Sequence, residues 1–179
     1  MRILRKLLGR EDAAVTDARR IYAALMAQSR LPAFYGDTRF SDDYDGRIDV
    51  LTLHIAAILS NLNRFGENGE RLGQALFDEM KDDFEIALRE EALSDASVKK
   101  RIQPMISLFY DRVKKYAEAL HKDDRRVALN VVLSESLSQS AQSFAETSAE
   151  YLEAFDKNLS DLSIGQIAMT EFQFPKIAV

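Results

Sequence analysis

Apolar positions recur at helical spacing along most of this chain, and in one stretch they surround the helix. Between Arg47 and Leu62, residues Ile48, Leu51, Ile55, Ile58, Leu59 and Leu62 lie on one face. Val50, Leu53, Ala56 and Ala57 make the other faces apolar as well. A helix that is apolar nearly all round is buried on all sides, so residues 47–64 are taken as the central helix. Asp45 is the expected N-cap, because its carboxylate can accept from the free N–H groups of the first turn. The apolar run is too short to cross a bilayer and is interrupted by His54.

The remaining segments follow the same period. Residues 12–30 predict a helix with Val15, Ala18, Tyr22, Leu25 and Met26 on one face. Pro32 ends it after Arg30, since the residue before a proline is excluded from helical geometry. Pro32 to Tyr35 then forms one short helical turn closed by Gly36, and Asp37 to Tyr44 is an acidic loop. After a turn at Phe65–Gly69, a helix over 69–92 turns Leu72, Leu76, Met80, Phe84, Ala87 and Leu88 inward. Ser94 or Ser97 caps the next helix, whose inward set is Val98, Ile102, Met105, Phe109, Val113, Tyr116 and Leu120. Pro104 inside it demands a kink or a later start. A turn at Lys122–Asp124 leads to a helix over 125–137, preferred to a strand despite Val127, Val131 and Val132. The last long helix is expected over 139–159, with Ala141, Phe144, Ala145, Tyr151, Leu152 and Phe155 inward. From Gly165 the pattern alternates, and Phe172, Phe174 and Pro175 predict an extended tail on the surface. The expectation is an all-α single domain of about six to eight helices packed around the buried central helix. Its organisation is a basic N-terminal segment (1–11), a helical domain (12–164) and an extended C-terminal tail (165–179).

Composition changes this picture only by exclusion. A chain of 179 residues is long enough for one domain with a real core. It has no cysteine, which rules out disulfides, thiolate catalysis and thiolate metal sites. A net charge of −5 argues against a global nucleic-acid binder, and no DNA partner is expected.

The charge is unevenly spread. Residues 1–10 carry Arg2, Arg5, Lys6 and Arg10 beside Ile3, Leu4, Leu7 and Leu8. That segment is either a short basic amphipathic helix with weak affinity for a membrane surface or a plain terminus. It is not a secretory signal. Residues 67–95 and 134–161 are acidic, whereas 97–126 are basic, with Lys99, Lys100, Arg101, Lys114 and Lys115 crowded together. Such runs are usually solvated faces that complement a neighbouring helix. The sharper reading has them facing an anionic partner.

The search for catalytic chemistry returns little. His54 and His121 have no carboxylate or histidine at metal-ligand spacing on their own helices. On a buried helix, His54 is expected to be a core histidine held by one hydrogen bond. Ser41–Gly46 resembles a calcium loop only faintly. With Gly46 at the sixth position, Thr52 falls where a bidentate Glu is required. Asp42, Asp43, Asp82 and Asp83 resemble the aspartate-rich magnesium motifs of all-α isoprenoid synthases, but not with that family's spacing, and capping or solvated roles are the simpler reading.

A family resemblance is carried by three early segments: Gln28-Ser29-Arg30-Leu31-Pro32-Ala33-Phe34-Tyr35, Asp45-Gly46-Arg47 and Leu53-His54. The run Leu72–Met80, the stretch Lys100-Arg101 to Met105, Phe109-Tyr110 and Tyr116 continue it. In order and spacing these segments resemble the ubiquinol–cytochrome c chaperone family over roughly residues 15–135. The chain departs at Asp111, where the family usually has Gly in Phe-Tyr-Gly-Arg, and at Pro104, where lysine is common. The glycines expected before Asp95 are also missing. The short N-terminus resembles that of a bacterial member.

This resemblance implies a non-enzymatic assembly factor with no catalytic residue, cofactor or metal. Mitochondrial relatives bind newly made cytochrome b for delivery to complex III (ubiquinol–cytochrome c reductase), acting with a small helical partner near the ribosomal exit tunnel. The implied partner here is cytochrome b or another complex III subunit. A ribosome, an anionic membrane surface and a small helical partner stay open as further partners. The implied location is the bacterial cytoplasm or the periphery of the inner membrane. Phe34, Tyr35, Phe40 and Tyr44, with Arg47 and His54, are the candidate client-binding residues at the entrance to the central helix; the plainer reading has the aromatics covering the end of that helix as ordinary core. Lys99, Lys100, Arg101, Lys114 and Lys115 are the candidate docking cations. The alternative is a small all-α magnesium-dependent enzyme of the isoprenoid-diphosphate type using Asp42, Asp43, Asp82 and Asp83.

Overall fold

The central helix of the fold, α2 (Tyr44–Leu62), is buried at every residue from Asp49 to Ile58. The computed structural model describes residues 12–90 and 95–178, and for 95, 96 and 99 the backbone only. Around α2 stand α1 (Ala13–Ser29), α3 (Gly66–Glu90), α4 (Asp95–Leu120) and α6 (Phe144–Ser160). A shorter helix, α5 (Arg125–Ser134), packs on α4 and α6, and α7 (Ile164–Ala168) rests on α1. Three single turns of 3-10 helix, Pro32–Phe34, Asn63–Phe65 and Gln139–Ala141, join them. Val50, Leu53, Ile55 and Ile58 lose all contact with water, each worth about 1.5–3 kcal/mol.

The ends of the helices follow local chemistry. The Asp12 carboxylate accepts from the Ala14 N–H at 3.1 Å and caps α1. α1 stops before Leu31, whose extended backbone (ψ 131°) satisfies Pro32. The N-cap of α2 is Asp43 and not Asp45: the Asp43 carboxylate accepts from the Gly46 N–H at 2.9 Å, leaving Asp45 in the first turn. Two glycines are set by close approach. A Cβ on Gly46 would lie 2.1 Å from the Ser41 carbonyl oxygen, and one on Gly69 would lie 1.9 Å from that of Leu62. Side chains at these two points would push the entry loop off α2 and α3 off α2.

Three boundaries differ from expectation. The turn after α2 is shorter than Phe65–Gly69, because α3 is helical from Gly66. The helices expected over 125–137 and 139–159 end and begin elsewhere, at Ser134 and Phe144. Between them Gln142 donates from Nε2 to the carbonyls of Ser134 (3.0 Å) and Leu137 (2.9 Å) and holds the chain in a turn. The tail is extended only from Glu171, since Ser163 and Gln166 form a capping box that makes 164–168 helical. The tail also packs inward: Phe172 is buried, and Phe174 lies 5.0 Å ring to ring from Phe155. Residues 1–11 and the cap at Ser94 lie outside the described residues. Pro104 lies within α4, which starts well before it.

Candidate functional site

The aromatic residues at the entrance to α2 divide into core and surface. Phe34 and Phe40 are 1% and 2% exposed, so they close the end of the core and offer nothing to a client in this conformation. Phe34 meets His54 and Tyr151 edge-on at 5.4 and 5.2 Å, and Phe40 meets Phe144 at 6.0 Å. Tyr35 is half-buried and donates its hydroxyl to the Ser29 carbonyl, which pins the Pro32 turn to the end of α1. Burial pushes its hydroxyl pKa up to about 12. Of these four aromatics, Tyr44 alone is substantially exposed, at 43%.

His54 is a core residue with two partners instead of the expected one. Its Nδ1 lies 2.7 Å from the Val50 carbonyl and its Nε2 2.7 Å from the Tyr151 hydroxyl. A carbonyl can only accept, so Nδ1 carries the proton and Nε2 accepts from Tyr151. The Tyr151 oxygen accepts in turn from Gln28 Nε2 at 3.0 Å, so a relay of donors runs from α1 through α6 into α2. Full burial lowers the imidazole pKa to about 4, so the ring is neutral at physiological pH. Its surroundings are Phe34, Phe155 and Phe174.

The basic run splits into matched and unmatched parts. Arg126 meets Glu146, Glu150 and Glu153 across α5 and α6, and Arg125 meets Asp156. Arg112 forms an ion pair with the buried Asp49 and ties α4 to α2. Lys115 is held by Glu135 at 2.8 Å and Asp111 at 3.2 Å, so this candidate cation is neutralised internally. Lys114 has one loose contact on its own helix, 3.8 Å to Glu118. Arg47 pairs with Asp42 at 2.9 Å. The side chain of Lys99 is outside the description.

Two groups of candidates far apart in sequence come together. A surface groove of about 640 Å³ lies between the first turn of α2 and the first half of α4. Tyr44 lines one side, Leu88 of α3 the base, and Ser97, Lys100, Arg101, Pro104 and Met105 the other side. The Tyr44 hydroxyl lies 3.8 Å from Met105 Sδ. Leu88 is buried and Met105 packs against the core, as their spacing predicts, and both also border the groove; the periodicity gives Pro104 only as a kink or a later start. The signal available was that proline sits on the same helical face as Arg101 and Met105.

The four aspartates of the magnesium alternative have other occupations or stand alone. Asp42 binds Arg47, Asp43 caps α2, and Asp83 accepts from the Tyr22 hydroxyl at 2.8 Å. Among the described residues, no group of three or more His, Asp or Glu side chains is placed to hold a metal ion. No described helix is long and apolar enough to cross a membrane.

The family model described as "Ubiquinol-cytochrome C chaperone" matches residues 37–174. The crystal structure of the Cbp3 homolog from Brucella abortus superposes with a TM-score of 0.80 at 25% identity. The match covers 98% of this chain and 97% of that one. No functionally curated protein matches the chain.

Proposed function

The chain belongs to the ubiquinol–cytochrome c chaperone family, and from that premise we propose that it is a non-enzymatic factor for assembly of complex III, with cytochrome b as its client. The observation that carries this reading is the family match over residues 37–174, joined to whole-chain similarity with the Cbp3 homolog. The residues support it chemically. His54 is locked as a neutral core group, and Asp42, Asp43 and Asp83 are engaged as an ion-pair partner, a helix cap and a hydrogen-bond acceptor. We place the protein in the bacterial cytoplasm or at the inner face of the membrane, where a newly made membrane subunit emerges. Binding of the client rests on surface residues and not on Phe34, because replacing a ring that is 1% exposed tests folding instead of docking.

The test is deletion of the gene under respiratory growth. Assembled complex III and cytochrome b are expected to fall together, while the turnover of each surviving complex stays normal. A chaperone changes abundance and not the chemistry of the finished enzyme. Unchanged complex III levels in the deletion strain would overturn the proposal.

A further inference from the structure

We propose that the groove between Tyr44 and α4 is a docking site for an apolar polypeptide segment with an acidic edge. The inference rests on reading the chain as a protein-binding assembly factor. The groove's apolar part is Tyr44, Pro104 and Met105, and Leu108 continues it one turn further along the same face of α4. Tyr44 and Leu108 are 43% and 47% exposed, so apolar side chains at this face stand in water.

The wall beside it supplies polar recognition. Lys100 is exposed and makes no ion pair among the described residues, although Arg112 and Lys115 on the same helix are paired with carboxylates. Arg101 lines the same wall beside it. Pro104 has no N–H, so the Lys100 carbonyl lacks the donor an uninterrupted helix would give it. The wall therefore offers a cation and a backbone acceptor above an apolar floor, which suits a peptide bearing a carboxylate and its own N–H or O–H donors. A free backbone carbonyl is satisfied by a hydrogen-bond donor, which a peptide supplies and a phosphate-rich surface does not. That acceptor and the concave shape favour a polypeptide over a bilayer or RNA.

The test uses the full chain and three probes. One is a fluorescent amphipathic peptide of about 15 residues with leucines on one face and glutamates beside them. The second peptide has lysines in place of the glutamates, and the third probe is phosphatidylglycerol vesicles. The glutamate peptide is expected to bind in a salt-sensitive manner, and Lys100→Glu to weaken it by roughly tenfold without changing the melting temperature. The same variant should now favour the lysine peptide, a reversal that general damage cannot produce. Tyr44→Ala should weaken both peptides without reversing the preference. Equal binding of the glutamate peptide by wild type and Lys100→Glu would overturn the proposal, as would vesicles binding in preference to it through Lys100. In cells, a deletion that lowers complex III beside a harmless Lys100→Glu would sink the groove and leave the assembly role standing. A harmless deletion with the peptide reversal intact would do the opposite.

Discussion

His54 shows how one buried side chain makes the fold sensitive to acid. In the unfolded chain its pKa is near the ordinary 6.5, and burial lowers it to about 4. Between those values the unfolded state binds the proton and the folded state does not, so stability falls as pH drops through that window. The loss from this residue is about 2 kcal/mol at pH 5 and approaches about 3 below pH 4, against a total of about 5–15. Thermal melting of the wild type and of His54→Gln from pH 7.5 to 4.5 checks it. The wild type should lose stability over this range, and the variant should start lower but change less. Parallel curves would mean that the acid sensitivity belongs to other groups. Sequence periodicity placed His54 in the core, but its partner Tyr151 lies ninety-seven positions away. Neither the second hydrogen bond nor the direction of the first could be read from local spacing.

At the scale of elements, apolar periodicity located the long helices, and polar chemistry set their limits. The run Asp42-Asp43-Tyr44-Asp45 offers three carboxylates able to cap α2. The choice of Asp43 was illegible because it depends on Ser41 folding back, donating to Asp43 at 2.9 Å and touching Gly46. Gly46→Ala should therefore cost about 1–3 kcal/mol, far more than an ordinary exposed helix-start substitution. Chemical denaturation would show it, with Asp45→Ala as the near-neutral control. Equal midpoints for the two would refute the close-approach argument. The same limit explains the break at Gln142. Its apolar neighbours keep helical spacing, and only a side-chain amide reaching back to Ser134 and Leu137 shows that the helix has stopped. Arg64 works likewise at the other end of α6, donating to the Leu159 carbonyl at 2.8 Å and also to those of Ser160 and Leu162.

At the scale of the molecule, every arrangement refers to α2. Ile55 has no exposure at all, so Ile55→Asp would bury an unpaired charge at a cost of several kcal/mol, comparable to the whole stability. It should yield no folded protein by circular dichroism, whereas a soluble variant with normal melting would refute the central role of α2. The all-α class was legible because it needs only period and composition. The groove was not, because Tyr44 and Met105 belong to different helices, and no local pattern records which helix faces which. Burial of Phe172 was hidden, and that of Phe34 and Phe40 left open between core and surface, for the same reason: irregular segments carry no period, and their partners Phe155, Tyr151 and Phe144 lie elsewhere in the chain. The inward-packed tail also governs when the fold can close during synthesis. Phe172 and Phe174 complete the aromatic cluster around Phe155 and His54, yet they follow all the described helices and so leave the ribosome after them. Helices α1 to α5 can form as they emerge, but the cluster at the centre stays open until residues 172–174 have followed them. A member of a chaperone family thus passes through a moment when its own apolar surface is uncovered.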